Sequence, residues 1–248
     1  MPTLAINGFV MHYEDRGSGQ PLLLLHGGLG IGDDWRHVFP SDPIGYRVVV
    51  PDLRGHGRST NPAGTFTIRQ CAHDVIALLN QLEIEQTRAI GLSLGAKTLL
   101  HIATAQPTCI EAMVLVSATP YFPEPLRAAA AQFTRQAFDS MPQADRESLR
   151  KRHIHGDDQI RLLYEMVQSF SMSDDDMAFT APLLGAVTAR TLIVHGDRDP
   201  LYPVEVALEL FRAIPMSALW VVPNGGHSPI FGDMAPVFAS RALAYLAG

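Results

Sequence analysis

Six short runs of the chain are almost wholly apolar, and they alternate with segments whose apolar residues recur every three or four positions. The runs are residues 22–25, 48–50, 89–91, 113–116, 192–194 and 219–222. A strand-sized segment that is apolar on both faces describes a strand covered by helices on both sides, which is the condition of a parallel sheet. Between the runs, Ile68, Ala72, Val75, Ile76, Leu79 and Leu82 make the stripe of a helix packed on that sheet. Residues 204–211 and 238–246 fit two more such helices. Residues 4–13, with Asn7-Gly8 between apolar pairs, read as an antiparallel hairpin on the sheet edge. The predicted fold class is therefore α/β, with a mostly parallel, doubly wound sheet.

The alternation stops between about residues 120 and 187. No strand is predicted there; helical segments at 126–138, 146–152 and 160–170 follow one another, punctuated by Pro123, Pro125, Pro142 and Pro182. The pattern predicts a helical insertion, 120–187, placed to roof a core made of 1–119 and 188–248. Asp174-Asp175-Asp176 within it reads as a solvated helix start.

Composition narrows the partners. The formal net charge is −6, which gives the chain no electrostatic reason to seek a phosphate backbone or an anionic bilayer. Neither nucleic acid nor membrane is an expected partner, and oligomeric state leaves no mark on the sequence. No apolar run is long enough to cross a bilayer and no export signal is visible, so a cytoplasmic location is expected. Cys71 and Cys109 read as buried small apolar residues.

The chemistry is concentrated at the ends of the predicted strands. Gly91-Leu92-Ser93-Leu94-Gly95 stands between a strand and a helix, the context in which G-x-S-x-G lifts a serine hydroxyl clear of a sheet. The two glycines are expected to let the backbone turn tightly. His26-Gly27-Gly28-Leu29-Gly30 follows the strand at 22–25, and glycines there allow amides to approach a developing oxyanion. The Gly28 and Leu94 N–H groups are the predicted pair, with His26 supporting the loop. Neither nucleotide-binding glycine pattern is present. His195-Gly196-Asp197-Arg198-Asp199-Pro200 and Gly225-Gly226-His227-Ser228 follow two further strands, at the carboxyl edge where open α/β sheets bind ligands. Ser93, then a carboxylate, then His227 is an order of nucleophile, acid and base, with Asp197 and Asp199 competing for the middle place.

These segments resemble the α/β-hydrolase superfamily, in particular its small esterase, lactonase and cofactor-free peroxidase-like members. The similarity covers most of the chain outside the insertion and includes Pro51-Asp52-Leu53-Arg54-Gly55-His56-Gly57-Arg58-Ser59, a turn with a structural role in that family. The resemblance implies that 120–187 is a helical cap over the active site. It also implies that Asp199, the second carboxylate of G-D-x-D with Pro203 nearby, is the acid. After His227 the chain departs from the common H-x-x-x-x-E-x-P pattern, which leaves the start of the last helix open.

Ser93, Asp199 and His227 are thus the expected catalytic residues, with Gly28 and Leu94 as the oxyanion hole. The expected reaction is acyl transfer from a small carboxylic ester, without cofactor or metal. A serine nucleophile argues against the carboxylate-based chemistry of dehalogenases and epoxide hydrolases. Lactone hydrolysis, C–C bond hydrolysis, acyl transfer and peracid formation stay open on the same machinery, as does a non-catalytic receptor built on this scaffold. His153-Ile154-His155, beside Asp157 and Asp158, has the look of a metal site, but Arg150, Lys151 and Arg152 would repel a cation. Phe133, Phe138, Tyr164, Met166, Phe170, Met172 and Phe179 are expected mostly to pack the inserted helices on one another.

Overall fold

The computed structural model describes residues 2–248. Its strands are β1 (Thr3–Ile6), β2 (Phe9–Gly17), β3 (Gln20–Leu25), β4 (Tyr46–Pro51), β5 (Thr87–Leu92), β6 (Ile110–Val116), β7 (Arg190–Gly196) and β8 (Ser217–Val222). Helices α1 (Ile68–Gln81) and α2 (Leu94–Ala105) flank β5. After β6 come α3 (Glu124–Ala130), α4 (Arg135–Asp139), α5 (Gln143–Arg152), α6 (Asp157–Ser169) and α7 (Ala181–Leu184). Helix α8 (Val204–Ala213) joins β7 to β8, and α9 (Ala235–Ala247) closes the chain.

The strands form one sheet in the order β1-β2-β4-β3-β5-β6-β7-β8. β2 runs antiparallel to β1 and β4, and every other neighbouring pair is parallel. The hairpin turns at Asn7-Gly8, where both residues have positive φ (45° and 83°), as the two-residue turn matching strand twist requires. Side chains alternate along each strand, so Leu23, Leu25 and Val49 join the core beneath α1, α2 and α8. Leu22, Leu24, Val48 and Val50 join the opposite core, with α9 and the 3₁₀ turn Gly32–His37. Each face thus buries its own apolar set, the arrangement the six apolar runs predict. β8 departs from it: as the edge strand it buries only Val222 completely.

The inserted segment differs from expectation in detail. The segment 126–138 breaks into α3 and α4, because the Thr134 hydroxyl accepts the Ala137 N–H at 3.0 Å and starts a new helix. α7 has four residues, too few to show a period. Asp174, Asp175 and Asp176 lie in a bend rather than at a helix start. Asp176 instead reaches another helix, accepting the Ile68 and Arg69 amides at 2.7 and 3.1 Å at the N-terminus of α1. Cys71 and Cys109 are free and buried. Among the described residues no helix is long and apolar enough to cross a membrane.

Beneath the hairpin, the Arg54 guanidinium forks onto the Asp74 carboxylate with two bonds of 2.9 Å, and Asn7 adds a third at 2.8 Å. Arg54 also lies over the Phe9 ring at 4.3 Å. Both charged groups are buried, so removing one partner strands the other. Asp74→Ala is expected to cost about 3–5 kcal/mol, read as a lower urea midpoint at unchanged slope.

Candidate active site

β5 ends in a sharp turn at Ser93, whose φ of 48° and ψ of −102° put a non-glycine residue in left-handed space. Two backbone bonds hold it there: Ser93 N–H to the Val116 carbonyl at 2.8 Å, and Gly95 N–H to the His26 carbonyl at 3.0 Å. The flanking glycines have a different reason from the one expected. Neither Gly91 nor Gly95 has positive φ; what each lacks room for is a side chain. A Cβ on Gly95 would sit 2.3 Å from the Leu25 carbonyl oxygen, and one on Gly91 would sit 2.6 Å from the Ala96 nitrogen. The serine itself makes the turn, and the glycines let β3 and α2 close around it.

Three loops bring their side chains to this serine. His227 Nε2 lies 2.9 Å from Ser93 Oγ, and His227 Nδ1 lies 2.8 Å from Asp199 Oδ2. The other Asp199 oxygen accepts the Leu201 and Tyr202 amides at 2.8 and 3.1 Å. With its carboxylate oxygens so committed, Asp199 accepts Nδ1–H and leaves Nε2 free to accept from the serine. Asp197 is exposed and makes no side-chain hydrogen bond among the described residues. The His227 loop can lie this close because position 196 is glycine: a Cβ there would sit 2.3 Å from the carbonyls of Gly225 and Gly226. The Tyr202 ring stands edge-on to the His227 imidazole, with centroids 4.8 Å apart. The buried His195 bonds the Tyr202 carbonyl at 3.0 Å.

Gly28 and Leu94 both line the cavity in front of Ser93. Neither amide donates to an acceptor among the described residues, and a Cβ at Gly28 would meet open space. Buried histidines hold this loop. His26 donates from Nδ1 to the Gly27 carbonyl at 2.8 Å and accepts the Leu53 N–H on Nε2 at 2.9 Å. Asp52 accepts the amides of Gly32 and Arg58 at 2.7 and 2.9 Å, tying the loop after β3 to the turn after β4.

His153 is a support that the sequence did not disclose. Standing between α5 and α6, it accepts the Gly57 N–H on Nδ1 at 3.0 Å and donates from Nε2 to the Leu29 carbonyl at 3.2 Å. Its partners are remote in sequence, so no local pattern marks it. His155 bonds the Arg58 carbonyl at 3.0 Å. Among the described residues no group of three or more metal-binding side chains is arranged around a common point. Burial lowers the pKa of His26, His56 and His153, the last to about 4.

The cavity holds about 750 Å³ and opens on Ser93, His227, Gly28 and Leu94. Trp35, Leu92, Leu201 and Phe231 contribute from the core, and Leu126, Phe133, Val167 and Phe170 from the inserted segment. Phe133 and Phe170 therefore face the cavity. Phe138 and Tyr164 pack together within the insertion, Met166 and Phe179 join the main core, and Met172 is exposed.

Ser93 thus stands at a strand–helix elbow on the carboxyl edge of a mostly parallel eight-stranded sheet. Residues 20–176 match the family model described as the alpha/beta hydrolase fold, and the chain belongs to that family. It is a hydrolase. It is 27% identical over 260 residues to a 2-hydroxy-6-oxo-6-(2'-aminophenyl)hexa-2,4-dienoic acid hydrolase of Metapseudomonas resinovorans, covering 96% of this chain and 88% of that one. It is 28% identical to a 2-hydroxymuconate semialdehyde hydrolase of Pseudomonas sp. (strain CF600), covering 89% and 84%. The enol-lactonase from Burkholderia xenovorans LB400 shares the fold over 100% of both chains, with a TM-score of 0.80 and 22% identity.

Two outcomes are expected. Gly95→Ala loses the folded elbow, read as insoluble protein or a collapsed melting temperature, whereas Gly28→Ala melts as the parent does. The neutral histidines set an acid limit. The unfolded chain protonates each near pH 6.5, while the folded protein resists protonation to lower pH. Unfolding therefore takes up protons, and stability falls as pH drops from about 6.5 through His153's value of about 4. Melting temperatures across that window should decline steadily, and His153→Gln should make the decline shallower.

Proposed function

We propose that the protein is a serine hydrolase that cleaves a small carboxylic ester through an acyl-enzyme, with Ser93 as nucleophile, His227 as base and Asp199 as the orienting acid. The observation that carries this reading is the unbroken chain Ser93 Oγ to His227 Nε2 and His227 Nδ1 to Asp199, at 2.9 and 2.8 Å. Ser93 Oγ attacks the carbonyl carbon while Nε2 takes its proton. The oxyanion forms against the Gly28 and Leu94 amides, and such a donor typically contributes about 10²–10³ in rate. Collapse expels the alkoxide, which recovers the proton from His227 and leaves an acyl-serine. Water then gives a proton to Nε2 and attacks the acyl carbon; collapse expels the Ser93 oxygen, which recovers that proton from His227, and releases the acid. Water and substrate balance both halves, so no cofactor or metal enters. Residues 120–187 act as a cap over the core formed by 1–119 and 188–248, supplying Leu126, Phe133 and Phe170 as an apolar wall for the acyl or alcohol group. The free, buried cysteines fit work in the cytoplasm.

C–C bond hydrolysis is the second reading, and the relatives favour it. A 2-hydroxy-6-oxo-dienoic acid, named as what the Metapseudomonas enzyme hydrolyses, carries a ketone, an enol and an acid but no ester. Its hydrolysis therefore breaks a carbon–carbon bond, and the same serine and histidine can attack the ketone.

A fluorophosphonate probe is expected to label Ser93 in the folded protein; an unlabelled Ser93 would remove the serine-hydrolase reading. Ser93→Ala should lose on the order of 10⁶ in kcat, and Asp199→Asn about 10⁴, with Asp197→Asn near the parent. Damage from Asp197→Asn greater than from Asp199→Asn would reverse the choice of acid. Turnover of p-nitrophenyl esters set against vinylogous 1,5-diketones separates the two substrate readings, since each predicts the larger kcat/KM for its own bond.

A further inference from the structure

Two basic side chains line the cavity in front of Ser93, and they are held differently. Arg152 is paired with Asp34 at 2.5 Å. Lys97 is only 2% exposed. Its Nζ donates to the Tyr202 hydroxyl at 3.0 Å and otherwise faces aromatic rings: Phe122 and Phe170 at 5.1 Å each, and Tyr202 at 5.6 Å. Among the described residues no carboxylate lies within 4.0 Å of it. The nearby acid of the site, Asp199, is committed to His227 and to two backbone amides.

An ammonium carries three N–H donors and no acceptor, and Tyr202 takes one of them. Ring faces attract a cation but cannot replace a counter-charge. Burying a charge without one is costly, and buried charges ordinarily persist where they are paired. The fold does not explain this lysine, since Leu94, Leu99, Leu100, Ile102 and Ala103 of α2 are all apolar and buried. Two of its ring neighbours, Phe170 and Tyr202, line the cavity with it, so the cage stands at the cavity wall. Phe122 and Phe170 stack at 4.9 Å behind it and keep the lysine in place.

We propose that Lys97 is an anion subsite, and that the substrate carries a carboxylate which supplies the missing counter-charge. The proposal rests on the hydrolase reading for what happens to that substrate, and deepens it. Lys97 follows Ser93 by one turn, and its N–H donates to the Ser93 carbonyl at 3.0 Å. Lys97 and Ser93 line the same cavity of about 750 Å³, so the carboxylate and the scissile carbonyl belong to one small molecule. A half-ester of a short dicarboxylic acid, or a lactone bearing a carboxylate, has that form.

The test separates binding from turnover. Monomethyl glutarate and the neutral dimethyl glutarate are titrated calorimetrically into Ser93→Ala protein. The half-ester should bind at least tenfold more tightly, and the preference should weaken with added salt. Lys97→Met in the same background should abolish the preference, and Lys97→Arg should retain part of it. Equal binding of the two ligands, or a preference that survives Lys97→Met, overturns the subsite; the comparison of ligands in protein with Lys97 intact stands even if the methionine variant fails to fold. Turnover is measured on the parent with mono-p-nitrophenyl glutarate and p-nitrophenyl hexanoate. Equal kcat/KM for the two sinks the subsite while leaving the hydrolase reading intact. A Lys97-dependent binding preference with no turnover of either ester sinks the ester reading while supporting the subsite.

Discussion

The backbone of Ser93 is the constraint on which the rest of the carboxyl edge depends. A non-glycine residue in sparsely populated φ/ψ space costs on the order of 1–3 kcal/mol and persists only where its surroundings determine it. Here they do so through Val116 on one side and His26 on the other, both bonded to the elbow's amides. The bond to His26 has a second consequence. It ties the turn that raises the serine to the loop that carries Gly28, so the hydroxyl and the free amides are set by one contact. The absent side chain of Gly95 permits that contact, and the same glycine allows β3 and α2 to meet.

The loops around this elbow are joined by buried polar groups that stay uncharged or fully paired. His26, His56 and His153 are kept neutral by burial, and Arg54 and Asp74 neutralise each other. Such a network fixes the backbone amides before any substrate arrives, as the proposed oxyanion role of the Gly28 and Leu94 amides requires. His153, His155 and Gln159 carry the same network into the inserted helices. Gln159 donates to the carbonyls of Gly55 and Gly57, both at 3.0 Å. The wall of the cavity is therefore anchored to the loop that carries Gly28, rather than riding independently over it.

Much of this was legible in the sequence, for physical reasons that differ by element. The strands showed because burial on both faces leaves no polar position, as at residues 22–25. Ser93, Asp199 and His227 could be read as neighbours because each follows a strand, and the parallel topology brings those ends to one edge. Gly95 was visible, though its cause was not, because a close approach between β3 and α2 is a long-range fact. His153, Lys97 and Asp176 stayed hidden for the same reason. Their partners Leu29, Phe170 and Ile68 lie tens of residues away, and nothing in their own segments marks the pairing. The break between α3 and α4 was missed because the apolar period runs across Thr134, whose capping bond appears only in three dimensions.

The proposed reaction is covalent: an acyl group passes through Ser93. The direct measurement is rapid-quench mass spectrometry of the protein during turnover of an activated ester, with the adduct located by peptide mapping. The expected result is a transient acyl mass on the peptide carrying Ser93, forming and decaying at rates consistent with kcat. A substrate consumed at full rate with no acyl-serine at any time, or with the adduct on another residue, would contradict it.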